Sequence, residues 1–377
     1  MQKEKIVQEL EELKNKNRFR TIKTNDKSLY NFSSNDYLGL AHDKDLLQKF
    51  YQNYSFDNYK LSSSSSRLID GSYLTVMRLE RKVEEIYGKP CLVFNSGFDA
   101  NSSLIETFFN KNSLIITDRL NHASIYEGCI NSRAKILRYK HLDVSALEKL
   151  LKKYSKDYDD ILVVTETVYS MDGDCVEIKK ICNLKDEYKF NLMVDEAHSY
   201  GVYGYGIAYN EKLVDKIDFL VIPLGKAGAS VGAYVICDEI YKNYLINKSK
   251  KFIYSTALPP VNNLWNLFIL ENMINFQNRI EKFQELVTFS LSTLKKLNLK
   301  TKSTSHIISI IIGDNLNTVN LSNNLKELGY LAYAIKEPTV PKDTARLRIS
   351  LTADMKKEDI EKFFKTLKAE MKKIGVI

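Results

Sequence analysis

The chain has 377 residues, beyond the size at which one hydrophobic core usually stops growing, so two domains, or a large domain with a smaller satellite, are expected. Hydrophobic residues at 44% and charged residues at 27% exclude wholesale disorder. The formal charge of +8 is spread through mixed runs such as Lys356-Lys357-Glu358-Asp359, which read as solvated helix faces, and no basic stripe interleaved with aromatics supports nucleic-acid binding.

The five cysteines, at 91, 129, 175, 182 and 237, include no Cys-x-x-Cys pair, no stretch approaches about eighteen uninterrupted apolar residues, and the start lacks an apolar signal core. A reduced, cytoplasmic protein that does not span a membrane is expected, without a metal site. Residues 1 to 17 set Ile6, Leu10 and Leu13 at helical spacing among charges, an amphipathic arm whose apolar face needs a partner. Apolar strand-like runs then alternate with helix-like stretches at 91–95, 113–117, 135–139, 160–166, 190–195, 218–223 and 232–237. Continuous apolar strands separated by helices predict an α/β fold with a mostly parallel sheet covered on both faces. After Tyr254-Ser255-Thr256-Ala257-Leu258-Pro259-Pro260 a helical stretch covers about 261–297, followed by strand-like segments at 306–313 and 346–351. A last helix sets Ile360, Phe363, Phe364, Leu367 and Met371 on one face. The expected organisation is an N-terminal arm and segment over 1–44, a large domain over 45–260 and a smaller α+β domain over 261–377.

In such sheets ligands bind beyond the carboxyl ends of the strands, where Asn95-Ser96-Gly97, Glu166, Asp195 and Lys226 fall. Asp195 ends the run Leu192-Met193-Val194-Asp195, and Lys226 follows Val221-Ile222-Pro223-Leu224-Gly225. A lysine at such a position can form a Schiff base with an aldehyde cofactor, and a carboxylate ending a neighbouring strand can keep a pyridine nitrogen protonated. The pair points to pyridoxal 5'-phosphate. Asn95-Ser96-Gly97-Phe98 lies between a strand and a helix-like stretch, so first-turn N–H groups can cradle a phosphate. His198 shares a turn with Asp195. The prolines after Ser255 and Thr256 preset an extended backbone that leaves the two hydroxyls free to act. Strand alternation sets Arg346 and Arg348 on one face, and a guanidinium matches a carboxylate bidentately.

Six blocks occur in one order: Asn31-Phe32-Ser33-Ser34-Asn35-Asp36-Tyr37-Leu38-Gly39-Leu40, Asp118-Arg119-Leu120-Asn121-His122-Ala123-Ser124, Ser170-Met171-Asp172-Gly173-Asp174, Asp195-Glu196-Ala197-His198, Ile253-Tyr254-Ser255-Thr256, and Pro338-Thr339-Val340-Pro341 with Arg346-Leu347-Arg348. In these the chain resembles the α-oxoamine synthases nearly end to end. The resemblance implies a pyridoxal phosphate-dependent fold type I (aspartate aminotransferase-like) large domain and an obligate homodimer with shared active sites. It gives Lys226 the Schiff base and proton transfer, Asp195 the ring nitrogen, His122 the ring face, and His198 with Ser170 the phenolic oxygen. Gly97 and Phe98 would bind the phosphate, joined by Ser255 and Thr256 reaching across the dimer. Arg348 would take the amino acid carboxylate, with Asn35 and Arg18 or Arg20 toward the acyl chain. Within the family the match leans to members that condense L-alanine with pimeloyl-CoA or pimeloyl-acyl carrier protein. Glycine-using members with succinyl-CoA or acetyl-CoA, and a non-catalytic subunit, stay open as alternatives.

Two departures stand out. Three residues before the lysine the family carries a Thr or Ser on the phosphate, where this chain has Pro223, with neither hydroxyl nor N–H. A glycine-rich substrate loop is replaced by Ser62 to Ser66, which is expected to be less free to adopt positive φ.

Overall fold

Apolar runs with no polar alternation must be covered on both faces, and the computed structural model, which describes residues 2–22, 24, 28–54 and 60–377, builds them into one sheet. Residues 1, 23, 25–27 and 55–59, parts of the expected 1–44 and 45–260 segments, lie outside the described residues. The strands in chain order are β1 (Tyr30–Asn31), β2 (Cys91–Phe94), β3 (Leu114–Asp118), β4 (Lys135–Tyr139), β5 (Ile161–Glu166), β6 (Asn191–Asp195), β7 (Phe219–Pro223), β8 (Ala233–Cys237), β9 (Ile307–Gly313), β10 (Tyr330–Leu331), β11 (Tyr333–Ile335) and β12 (Ala345–Ser350). The large sheet has the order β2-β8-β7-β6-β5-β3-β4. β8 runs antiparallel to both neighbours, and the remaining pairs are parallel.

Val163, Leu192, Val194, Val221 and Ile222 are fully buried, as strands covered on both faces require. Helices Gly97–Phe108, Ala123–Ser132, Val144–Tyr154 and Ile178–Leu184 make the connections. Val144–Tyr154 shows how sequence sets such an element: the Asp143 side chain accepts from the Ala146 N–H, Lys152 and Lys153 occupy the last turn, and Leu147 and Leu151 are buried.

The chain divides into two compact units that differ from the three consecutive segments expected. One comprises 36–169 and 175–281; the other comprises the residues up to Asn35, 170–174 and 282–377. The first holds the large sheet and keeps helix Pro260–Asn272, which packs on helix Leu74–Tyr87. The second takes the N-terminal segment because β1 pairs in parallel with β10 and Phe32 stacks on Phe363 at 3.9 Å. Two-residue strands carry no periodicity, so this pairing is invisible in the sequence.

In the second unit β11, β12 and β9 form an antiparallel sheet. The last helix, Lys357–Lys373, buries Ile360, Phe363, Phe364, Leu367 and Met371. Gly173 is required there: its φ is 69°, and a Cβ would fall 1.8 Å from the Ile307 carbonyl oxygen. The arm is helical over Gln2–Asn15 with no buried residue, leaving Ile6, Leu10 and Leu13 exposed. Among the described residues no helix is long and apolar enough to cross a membrane.

Candidate active site

In the sheet unit, the in-register pair Glu166 and Asp195 sets two carboxyl groups side by side at the ends of β5 and β6, and Asp195 pairs in turn with Val221 of β7. Lys226 follows three residues after β7. Its Nζ lies 2.9 Å from His198 Nε2, and His198 Nδ1 lies 2.7 Å from the Tyr37 hydroxyl. His198 and Tyr37 are both buried, so the imidazole links a buried phenol to the lysine amine.

Asp195 is 4% exposed. Its Oδ2 accepts from Asn101 Nδ2 at 2.6 Å and its Oδ1 from the Ala197 N–H at 2.7 Å, which holds the carboxylate in one orientation. Asn101 also donates to Ser124 Oγ at 3.0 Å. Sequence reasoning missed Asn101. The available signal was a polar residue four positions after Gly97, and hence one turn on, among the buried Ala100, Leu104 and Ile105 of one helix. It likewise left Tyr37 without a role of its own.

His122 is the N-cap of helix Ala123–Ser132, and its Nδ1 accepts from the Ser124 N–H at 3.2 Å. Its own backbone N–H donates to Glu166 Oε1 at 2.5 Å. His122 is exposed as a residue. Partial desolvation lowers the imidazole pKa, a shift that Asp195 opposes and Lys226 reinforces. Burial, reinforced by Asp195, pushes the Glu166 carboxyl well above the usual carboxylate range, while Lys226 and the His122 N–H oppose the shift.

Gly97 begins helix Gly97–Phe108, with Ser96 Oγ accepting from the Asp99 N–H at 3.0 Å. The amides of Gly97 and Phe98 belong to the first turn, which has no intrahelical acceptors. Pro223 Cγ and Cβ would lie 2.6 and 2.7 Å from a Cβ on Gly97, so only glycine fits. Asn95 Nδ2 donates to the Thr256 carbonyl at 2.6 Å, and Ser255 lines a pocket with Arg67, Asn95 and Lys251. The serine loop is tied down: Ser63 is buried and its Oγ donates to the Ala257 carbonyl at 2.5 Å. Ser64 nevertheless adopts φ 55°. The set fits pyridoxal phosphate: a lysine amine for the aldehyde, a buried oriented carboxylate for the ring nitrogen, and a helix start that a side chain at Gly97 would obstruct.

In the other unit Arg348 Nε donates to the Ser170 carbonyl at 2.6 Å, and Nη1 donates to Asn35 Oδ1 at 3.1 Å and Ser350 Oγ at 2.7 Å. Arg346, which is buried, makes an ion pair with the half-buried Asp172 at 2.6 Å. Arg348, Asn35 and Ser170, expected from three distant motifs, therefore come together. Arg18 pairs with Glu337, and Arg20 donates to Thr339 Oγ1 at 2.9 Å; both hold the segment that opens the last motif.

The family model for class I and II aminotransferases matches residues 27–367. A relative from Pasteurella multocida (strain Pm70), named as a candidate 8-amino-7-oxononanoate synthase, is 39% identical over 376 residues, covering 96% of this chain and 97% of its own. One of the same name from Haemophilus influenzae is 39% identical over 371 residues, 94% and 98% of the two chains. Among solved structures, 8-amino-7-oxononanoate synthase from Francisella tularensis is 28% identical with a TM-score of 0.77, covering 93% of this chain and 99% of that one. Serine palmitoyltransferase from Sphingomonas wittichii is 26% identical with a TM-score of 0.85, covering 93% and 88%.

Proposed function

Since the chain belongs to the class I and II aminotransferase family and is a pyridoxal phosphate-dependent enzyme of the α-oxoamine synthase type, we propose that it condenses L-alanine with a pimeloyl thioester. The products are 8-amino-7-oxononanoate, CO2 and the free thiol of coenzyme A or acyl carrier protein, a step of biotin biosynthesis. The observation that carries this reading is the 39% identity to relatives of that name along 96% of the chain.

Pyridoxal phosphate supplies an electron sink for negative charge at the amino acid α-carbon. Lys226 Nζ would hold the cofactor's aldehyde and, as a free amine, would accept the α-proton. Asp195, held by Asn101 and the Ala197 N–H, keeps a proton on the pyridine nitrogen. His122 would stack on the pyridine ring, and His198 with Ser170 would bond the phenolic oxygen. The amides of Gly97 and Phe98 take the phosphate, joined by Ser255 and Thr256 of the partner subunit in a cytoplasmic homodimer. Arg348 pairs with the carboxylate of the amino acid, while Asn35 and Arg18 serve the acyl end.

The test is a thiol-release assay with L-alanine and either pimeloyl-CoA or pimeloyl-acyl carrier protein. Glycine with succinyl-CoA or acetyl-CoA and L-serine with palmitoyl-CoA are the competing pairs. Turnover with L-alanine and a pimeloyl thioester, lost by about 10²–10⁴-fold or more in Lys226→Ala, supports the reading. Preference for glycine or L-serine overturns it. Borohydride reduction of the PLP-loaded protein, followed by peptide mass analysis, locates the attachment; an adduct on any lysine other than Lys226 overturns the site.

A further inference from the structure

The His198 imidazole can serve a phenolic oxygen on one side only if its proton is on the correct nitrogen. A neutral imidazole carries one N–H, and the partner of one nitrogen decides what the other presents. Nε2 faces Lys226 Nζ at 2.9 Å, and the partner of Nδ1 is the Tyr37 hydroxyl at 2.7 Å. A phenol keeps its proton until about pH 10. Donated to Nδ1, that proton leaves Nε2–H facing the lysine, where it meets the lone pair of a neutral amine or of a phenolate oxygen. Against a phenolate oxygen, which has no proton to give, the opposite tautomer would set two lone pairs against each other.

Both ends of this contact are fixed. Tyr37 is 0% exposed and lies in a turn where the Gly39 N–H donates to the Asp36 carbonyl at 2.9 Å, with Gly39 at φ 68°. The Ala41 N–H donates to Asp36 Oδ2 at 3.1 Å. Arg279 clips the same segment by donating to the Leu38 carbonyl at 3.2 Å and pairing with Asp43 at 2.7 Å. His198 is 3% exposed. The turn that carries it is closed by the Ser199 and Tyr200 N–H groups on the Glu196 carbonyl, at 3.1 and 3.0 Å, and by Thr167 Oγ1 donating to Ser199 Oγ at 2.8 Å. A buried phenol positioned this tightly against a buried imidazole costs desolvation that packing alone would not require, since phenylalanine fills nearly the same volume.

We propose that Tyr37 is a positioning residue of the reaction centre, donating its hydroxyl proton to His198 Nδ1 and so fixing the imidazole as the Nε2–H tautomer that faces Lys226 and the cofactor's phenolic oxygen. It acts through His198 and touches no reacting atom. The proposal rests on the reading of the site as a pyridoxal phosphate site, not on the identity of the acyl substrate.

The experiment is nitrogen NMR of the PLP-loaded protein with ring-labelled histidine. The chain has five histidines, and His198 is assigned by its absence in His198→Gln. Wild type is expected to show a single neutral tautomer with the proton on Nε2, and Tyr37→Phe a mixture of both. In the thiol-release assay Tyr37→Phe is expected to lower kcat about tenfold with the L-alanine KM within about twofold. A proton on Nδ1 in wild type overturns the proposal, and that result does not depend on Tyr37→Phe folding. A Tyr37→Phe protein whose tautomer or kcat matches wild type overturns it as well. If wild type turns over no L-alanine, the substrate reading fails while the tautomer still decides the role of Tyr37.

Discussion

Gly97, at the start of its helix, and Pro223, at the end of β7, meet so closely that a Cβ on the glycine would lie 2.6 Å from Pro223 Cγ and 2.7 Å from its Cβ. The proline that replaces the family's hydroxyl residue thus packs against the helix start proposed to hold the phosphate. Gly97→Ala forces overpacking, typically about 1–3 kcal/mol. If the helix start shifts to relieve it, pyridoxal phosphate binding weakens by about 5- to 100-fold. Gly97→Ala/Pro223→Gly removes both clashing atoms and is expected to regain part of that loss. Pro223→Thr keeps a Cβ and a methyl toward Gly97 and adds a hydroxyl, so it is expected to tighten binding about tenfold. Dissociation constants in phosphate-free buffer check all three; equal constants for wild type and Pro223→Thr would mean that other groups already satisfy the phosphate.

Glu166 and Asp195 are in-register neighbours on β5 and β6, and two adjacent buried carboxyls do not ionise together without cost. Burial, reinforced by the Asp195 charge, raises the Glu166 carboxyl pKa well above the usual carboxylate range, while its Oε1 accepts the His122 N–H at 2.5 Å. Glutamine copies a neutral acid that accepts this bond. Glu166→Gln is therefore expected to hold kcat within about threefold. Glu166→Ala, which leaves the His122 N–H without its partner, is expected to lose about 10- to 100-fold, the equivalent of roughly 1–3 kcal/mol. A glutamine variant as impaired as the alanine one would show that a charge at 166 is needed.

The large sheet was legible because continuous apolar runs have one structural use: the seven runs begin and end within one residue of β2 to β8. The direction of β8 was not, since apolar periodicity is the same for parallel and antiparallel neighbours. Lys226 and Asp195 were readable as strand-end polar residues. Tyr37 and Asn101 were not, because their roles come from contacts across 161 and 94 residues of chain. The Ser170 carbonyl that accepts from Arg348 was not readable either, because backbone acceptors leave no mark on sequence.

Glu196 is fully buried, and burial raises its pKa to about 7, against the opposing N–H groups of Ala208 and Ile207. The folded state therefore binds the Glu196 proton more tightly than the unfolded chain, whose value lies near 4.5. Its contribution is fully present below about pH 4.5 and is lost as pH rises toward 7, amounting to about 3 kcal/mol at most. Glu196→Gln removes the titration while retaining an acceptor for the Ala208 N–H, which lies 2.8 Å from Oε1. Urea midpoints at pH 5 and pH 8 are expected to converge in Glu196→Gln relative to wild type. An unchanged difference between the two pH values would assign the dependence to other groups.

Ser255 and Thr256 follow Tyr254, which is 81% exposed, and the adjoining serine loop, tied to this segment by the Ala257 N–H on the Ser65 carbonyl, continues into Ile69 at 84% exposure. Large apolar side chains left this open suit coverage by a second copy of the chain. In a two-fold dimer that exchanges these hydroxyls, each site takes Lys226 from one subunit and Ser255 with Thr256 from the other. Lys226→Ala and Ser255→Ala/Thr256→Ala subunits, each inactive alone, should then complement. After equal mixing and full exchange, half the dimers are hybrids with one intact site of two, so recovery is expected at about a quarter of wild-type activity per total protein. Exchange is verified independently with two differently tagged parents. No recovery despite proven exchange would mean that each site is completed within its own chain, with Ser255 and Thr256 serving the segment that Asn95 already holds.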